Sequence, residues 1–142
     1  MLRGEFAVSS LRVSSVVLVA SLFMQACSLL DVRPPEEQVL GEAREYWQAR
    51  LAGHWDKALS FTSDSYRAVV TTGRAYEARK LNGAAPIDGA EVVSASCSAD
   101  VCDVVVKLRI KPIINRRGEG IEIGSSQRWM KSVDGWKLYE KL

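Results

Sequence analysis

Apolar residues in the first half of the chain recur every three or four positions, which is the spacing of one face of an α-helix. This pattern predicts a helix over residues 36–51. Pro35 suits the first helical position, and Gly53 suits the residue just past a helix end. The apolar stripe of this helix consists of Val39, Leu40, Ala43, Tyr46, Trp47 and Leu51.

Two further helical segments are predicted after Gly53. The first covers residues 56–62, with Asp56 as its N-cap, and the second covers parts of residues 65–81. His54 is the only histidine of the chain, and it lies in the turn before these segments. A surface or capping role suits that position better than the role of a buried base.

The second half of the chain alternates apolar and polar residues with the period of two that half-buried strands show. Strands are predicted over residues 90–97, 104–110, 122–132 and 136–141, with Asp134-Gly135 as a hairpin turn. Helices followed by an antiparallel meander predict an α+β fold. The clearest alternation places Val104, Val106, Leu108 and Ile110 on one face of a strand and Val105, Lys107, Arg109 and Lys111 on the other.

The N-terminal segment has the parts of an export signal. Arg3 and Arg12 supply positive charge, and residues 13–26 are uncharged. This run is short for a permanent membrane span, which needs about 20 apolar residues. It ends in Met24-Gln25-Ala26 directly before Cys27. The alternative is an uncleaved anchor with an incidental cysteine.

This arrangement resembles the signal of bacterial lipoproteins. The resemblance implies a signal peptide over residues 1–26, a lipidated tether over 27–35 and a folded domain over 36–142. It also implies that Cys27 carries a diacylglyceryl group and an acyl chain such as palmitate. At about 0.8 kcal/mol per buried methylene, two or three chains anchor a protein almost irreversibly. Ser28 favours the outer membrane, with the domain facing the periplasm.

With Cys27 assigned to lipid, Cys97 and Cys102 remain as a pair. Export places them in an oxidising compartment, where a disulfide is expected. Apolar runs flank both residues, so we expect a hairpin with the cysteines opposite each other. A redox-active site usually has the spacing C-x-x-C, and a metal site would need more ligands than His54 supplies.

The charge of the chain is nearly balanced. Nineteen basic and 17 acidic residues give a net charge of +2. Removal of the signal peptide takes two arginines and one glutamate and leaves a net charge of about +1. This balance does not predict nucleic-acid binding.

The domain resembles the nuclear transport factor 2-like superfamily, a cystatin-like α+β cone in which a curved antiparallel sheet wraps a helix. Residues 42–50, 53–59 and 65–67 carry this resemblance in the helical half. Residues 128–131 and 134–136 carry it in the last strands. The superfamily often has Gly-Asp-Trp where this chain has Gly-His-Trp. The resemblance implies a pocket inside the cone, and an outward sheet face that commonly forms homodimers.

Aromatic residues are the candidates for lining such a pocket. They would either bind an apolar ligand or form an ordinary core, because a small domain needs large side chains to bury enough surface. The six pocket candidates are Tyr46, Trp47, Trp55, Phe61, Tyr66 and Trp129, and Tyr76 and Trp136 belong to the same group.

Basic residues form a second candidate surface. They could meet anionic head groups or an acidic partner, or they could simply be a solvated strand face that discourages aggregation. This surface consists of Lys107, Arg109 and Lys111 on one strand and Arg116 and Arg117 in the following loop.

No catalytic constellation is predicted. Isomerases and dehydratases of the cone fold place Asp, His and Tyr in their pockets, whereas here no carboxylate pair or activated nucleophile stands out. No cofactor and no metal site are predicted. We therefore expect a lipid-anchored envelope protein that acts as a non-catalytic binding or scaffolding module for an envelope partner. The alternatives are a periplasmic module for apolar small molecules and an isomerase- or dehydratase-type enzyme.

Overall fold

The computed structural model describes residues 33–82, 84–111 and 120–142, in which four helices are followed by four antiparallel strands. The strands lie in the order β1-β2-β3-β4, so the predicted α+β class and meander are confirmed. The elements are α1 (Pro35–Leu51), α2 (Trp55–Ser60), α3 (Asp64–Arg67), α4 (Gly73–Leu81), β1 (Ile87–Ser98), β2 (Val101–Ile110), β3 (Ile121–Ser132) and β4 (Gly135–Leu138).

Helix α1 packs along β1 and also reaches β2 and β4. Pro35 stands at its first position, and Gly53 follows its end with a φ of 75°, as the sequence predicts. Leu51 departs from the predicted stripe, because it lies in the last turn and is 42% exposed. The residues that α1 buries are Val39, Ala43, Tyr46, Trp47 and Ala49.

The shorter helices differ from the prediction at their ends. His54 rather than Asp56 occupies the N-cap position of α2, and its side chain makes no capping hydrogen bond. The carboxylate of Asp56 instead accepts a 2.7 Å hydrogen bond from the backbone N–H of Gly73, the first residue of α4. The third predicted segment is divided into α3 and α4, because the intervening residues leave helical geometry.

Strand β2 runs through the middle of the sheet with the predicted alternation. Val104, Val106 and Leu108 are buried under the helices, while Val105 and the basic residues face outward. Two register shifts interrupt the pairing of β1 with β2, and bulges of this kind bend a strand and increase its twist.

The turn between β1 and β2 brings the two cysteines together. Cys97 and Cys102 are opposite each other in the register, with Cα atoms 4.1 Å apart, and their sulfur atoms form a disulfide. Ala99 takes a positive φ of 50° in this tight turn. Gly135, from the predicted Asp-Gly turn, has a φ of 108° at the start of β4.

Backbone hydrogen bonds tie the helical half to the last strand. The N–H of Leu138 donates to the carbonyl of Phe61, and the N–H of Ser63 donates to the carbonyl of Leu138. Across the described ranges, no helix is both long and apolar enough to span a membrane. The predicted signal peptide, Cys27 and most of the tether lie outside the described residues.

Candidate binding cleft

The aromatic residues pack against one another as the core between the helices and the sheet. Tyr46 makes edge-to-face contacts with Trp47, Phe61 and Trp129 at ring-centroid distances of 5.4, 6.4 and 6.1 Å. Tyr76 makes similar contacts with Trp55 and Tyr66. All of these aromatic side chains except that of Trp55 are at least nine-tenths buried. The predicted pocket candidates therefore fill the interior rather than surround an empty apolar cavity.

A chain of hydrogen bonds runs from this core to the protein surface. The hydroxyls of Tyr46 and Tyr76 lie 2.8 Å apart, and the hydroxyl of Tyr76 donates to the Glu140 carboxylate at 3.0 Å. Because Tyr76 has one hydroxyl proton, Tyr46 is the donor in the bond between the two tyrosines. Lys80 is the last member of this series of hydrogen bonds, and its ammonium group donates to the second carboxylate oxygen of Glu140 at 2.5 Å.

The surroundings of these hydrogen bonds keep the phenol groups of Tyr46 and Tyr76 neutral. Burial, then the neighbouring Tyr46 and the charge of Glu140, raises the pKa of Tyr76 far above its ordinary value. Burial also raises the pKa of Tyr46, and the positive charge of Arg50 partly offsets this effect. Both hydroxyls therefore remain hydrogen-bond donors across the physiological pH range.

An open cleft of about 670 Å³ lies where this chain of hydrogen bonds reaches the surface. Its floor consists of side chains that are less than a tenth exposed: Tyr46, Trp47, Leu108 and Leu138. Its walls are more polar and come from α1, α4, the middle of β3 and the segment after β4. The polar residues of these walls include Arg50, Lys80, Ser125, Gln127 and Glu140.

The short last strand opens this cleft. β4 pairs with β3 only from Trp129 to Ser132, and the N–H of Tyr139 adds one bond to the carbonyl of Arg128. The earlier part of β3, which includes Ser125 and Gln127, extends past the end of β4. The strand predicted over residues 136–141 is thus shorter in the structure, and Tyr139, Glu140 and Lys141, which follow it, line the cleft.

Two side chains on the walls, those of Gln127 and Arg50, are held by contacts with Trp47. The indole N–H of Trp47 donates to Oε1 of Gln127 at 3.2 Å, and since an indole cannot accept, this bond fixes the orientation of the amide. The guanidinium of Arg50 lies 4.8 Å from the centre of the Trp47 ring and donates a long 3.4 Å bond to Tyr46.

The predicted basic surface lies on the opposite, outward face of the sheet. Lys107, Arg109 and Lys111 are all exposed there, but acidic residues accompany them. Arg109 donates to Asp88 at 2.9 Å, and Lys111 lies 3.5 Å from the same carboxylate. The hydrogen bond from Arg109 is the main cause that lowers the pKa of Asp88.

Other acids also lie beside this row, and part of the predicted surface is not described. Glu91 and Glu122 face Lys107 and Arg109 across the strand pairs. The described part of the surface is therefore a field of mixed charge. Arg116 and Arg117 lie outside the described residues.

The remaining candidates do not enter the cleft. His54 is exposed at the start of α2 and is not one of the residues that line the cleft. Within the described ranges, no group of three or more His, Cys, Asp or Glu side chains could hold a metal ion.

Sequence reasoning missed the polar residues of the cleft. The sequence does contain one indication for Arg50. It lies four positions after Tyr46, so both side chains are on the same side of α1. Glu140 is the only acid in the predicted last strand. Nothing in the spacing of Lys80 and Gln127 indicates that they meet these residues.

No protein-family model and no curated protein matches this chain. Among solved structures, it is similar to a domain from Thiobacillus denitrificans described as a calcium/calmodulin-dependent protein kinase type II association domain. That likeness has 14% identity and a TM-score of 0.48, over 68% of this chain and 86% of the other. A SEC-C motif containing protein from Rhodopseudomonas palustris has 18% identity and a TM-score of 0.48, over 75% and 77%. Both are small α+β domains, and neither likeness identifies a family or a function.

Proposed function

We propose that this chain is a non-catalytic binding module of the cell envelope, anchored by lipid on Cys27, and that it binds its ligand or partner in the cleft beside α1. The observation that carries the proposal is the open cleft of about 670 Å³ with a well-packed apolar floor and polar walls. Concave sites with an apolar base and a few oriented polar groups are the usual form of small-molecule sites.

The rigidity of the cleft supports this proposal. Glu140 and Lys80, which are 15% and 21% exposed, hold each other at the rim, and Tyr76 supports the carboxylate from the core. A partly buried ion pair that is also hydrogen-bonded has its charges satisfied in one geometry. Binding to a preformed site costs less ordering entropy than binding to a flexible one.

The polar walls favour a ligand with polar groups over the purely apolar ligand that the aromatic residues suggest. The aromatic side chains are already in contact with one another, so an apolar ligand would have to displace well-packed core residues. A ligand in the cleft would instead meet Arg50, Gln127 and Ser125 of β3.

The fold supports the proposal at the level of architecture. Helices on one side of a four-stranded antiparallel sheet, with register shifts between β1 and β2, are compatible with a nuclear transport factor 2-like cone. We propose membership in that superfamily, with the cleft as the pocket of the cone. The signal over residues 1–26 and the anchor at Cys27 are proposed from the sequence alone.

An isomerase or dehydratase is the weaker alternative. Such an enzyme would need a carboxylate or imidazole free to move a proton in the cleft. The Glu140 carboxylate is held by Lys80 and Tyr76, and the hydroxyl of Tyr46 belongs to a residue with no exposed surface. These groups suit a fixed supporting role.

Site-specific photocross-linking in the native cell tests where the protein binds. A photoreactive amino acid replaces one of three exposed lysines of the full chain: Lys141 at the cleft, Lys107 on the outward sheet face, or Lys57 on α2 as the control. We expect a product, identified by mass spectrometry, from position 141 alone. A product from position 107 with none from position 141 would contradict the cleft proposal and would indicate recognition by the outward face.

A further inference from the structure

We propose that the cleft recognises a small molecule that carries an oxyanion, a carboxylate or a phosphate, on an apolar body, with Arg50 as the anion-binding residue. This inference rests on the proposed function and specifies the chemical class of the ligand. It comes from the distribution of donors and acceptors along the cleft walls.

The inference depends mainly on the surroundings of the Arg50 side chain. It is half-buried in the wall of the cleft, and within the described ranges no carboxylate lies within ion-pair distance of its guanidinium. Its contacts are the Trp47 ring and one long bond to the Tyr46 hydroxyl. A guanidinium has five N–H donors in a planar fork, so most of them remain for a ligand.

The other cations around the cleft contrast with Arg50. Lys80 is paired with Glu140 at 2.5 Å, and Arg128 is paired with Asp103 at 3.1 Å. These two pairs also engage the carboxylates of both acidic residues that contribute to the cleft, Glu140 and Asp103. The side-chain charge that is left along the walls is therefore positive, from Arg50 and from Lys141 at the exposed rim.

Neutral donors complete the site. The bond from Trp47 occupies Oε1 of Gln127 and leaves the two protons of its amide nitrogen available. The hydroxyl of Ser125, which lies on the same face of β3 as Gln127, is a further donor at this wall. The carboxylates and the Gln127 amide oxygen at this wall are already engaged, while Arg50 and the Gln127 amide nitrogen still have protons to donate. Such a wall suits an anionic ligand, and guanidinium groups bind carboxylates and phosphates through two parallel bonds.

The Trp47 ring fixes the position of Arg50. The indole is 3% exposed, and its ring centre lies 4.8 Å from the guanidinium carbon, so a packed core side chain holds Arg50 beside the cleft. Leu108 and Leu138 in the floor and Ile87 in the wall would contact the apolar body of the ligand.

Three probes of one shape test the inference on the full chain purified in detergent micelles. They are 2-naphthoate, 2-naphthyl phosphate and the uncharged 2-naphthamide. Binding is followed by the NMR shifts of the Trp47 indole N–H and the Gln127 amide. The variant is Arg50→Gln, and Arg44→Gln, an exposed arginine on the same helix, is the matched control.

We expect at least one anion to bind tenfold or more tightly than the amide, and Arg50→Gln but not Arg44→Gln to abolish that difference. The preferred anion then identifies carboxylate or phosphate as the group recognised. Equal binding of all three probes in the cleft would overturn the inference while leaving the proposed function intact. If no probe shifts either signal, the inference is also overturned, and the proposed function is decided independently by the cross-linking experiment.

Discussion

The hydroxyl of Tyr76 donates a 3.0 Å hydrogen bond to the carboxylate of Glu140, which lies 64 residues later in the chain. This bond joins the helical half of the domain to the segment after the last strand. It also links the buried pair of tyrosines to the rim of the cleft, so the shape of the candidate site depends on a contact made in the core.

Tyr76→Phe should destabilise the protein and loosen the cleft. The change removes the acceptor of the Tyr46 proton and one donor to Glu140, and a buried polar group left without its partner costs about 1–3 kcal/mol. Urea denaturation measures the free energy of unfolding. Tyr139→Phe removes the hydroxyl of a tyrosine that is 48% exposed, and it should change that free energy by less than about 0.5 kcal/mol. Equal effects of the two variants would contradict the described network.

Reduction should lower stability through the Cys97–Cys102 disulfide. The closed loop is short, so the entropic stabilisation is only about 2 kcal/mol. Denaturation of the wild-type chain with and without dithiothreitol measures the loss. The stability of the double variant Cys97→Ala/Cys102→Ala should not change with the reductant. Detection of two free thiols in the wild-type chain before reduction would contradict the prediction.

The two helical glycines should respond in opposite directions to alanine. A Cβ on Gly41 would meet nothing within 4 Å, so Gly41→Ala should stabilise the domain by about 0.5–1 kcal/mol. A Cβ on Gly73 would lie 2.6 Å from the Asp56 carboxylate oxygen that accepts its N–H, so Gly73→Ala should cost about 1–3 kcal/mol. Thermal unfolding of both variants is the measurement. A stabilised Gly73→Ala protein would be inconsistent with the contact between α2 and α4.

Glu42→Gln should stabilise the protein at neutral pH. Burial is the main cause that raises the pKa of this carboxyl, and the charge of Lys137 partly opposes it. A raised pKa means that the folded state disfavours the ionised form of Glu42. The free energy of unfolding therefore falls as the pH rises from the pKa of this group in the unfolded state through its pKa in the folded state. The gain from Glu42→Gln should therefore be present at pH 7 and disappear below about pH 4.

Unfolding curves of Glu42→Gln at pH 3.5 and pH 7 test this prediction. Glu45→Gln, which removes a 60% exposed carboxylate from the same helix, is the control and should give no comparable gain. A gain for Glu42→Gln of the same size at both pH values would show that burial of the charge is not its cause.

Cys27→Ala should release the protein from the membrane. Without the thiol no diacylglyceryl group can attach, and the anchoring energy of about 0.8 kcal/mol per buried methylene is lost. Labelling with radioactive palmitate and fractionation of cells measure the anchor. Cys97→Ala/Cys102→Ala should keep both the label and the membrane location, whereas Cys27→Ala protein that stays fully membrane-bound would contradict the lipoprotein interpretation.

Local patterns in the sequence were sufficient for the order and type of the elements. The spacing of Val39, Ala43 and Tyr46 places one face of α1 against the sheet, and the alternation along β2 selects its buried face, because both periods follow from backbone geometry alone. The hairpin turns are equally local, since Gly135 supplies the positive φ that its turn requires.

Contacts between distant residues were decided only by the tertiary structure. Asp56 accepts from α4 rather than capping its own helix, and Asp88 of β1 pairs with Arg109 of β2. The cleft depends on the same kind of contact, because Lys80 and Glu140 are 60 residues apart. Hydrogen bonds and ion pairs of this kind depend on where the packed elements bring side chains in space. Periodicity along the chain records which face of each element is buried, but not which residue of another element it will meet.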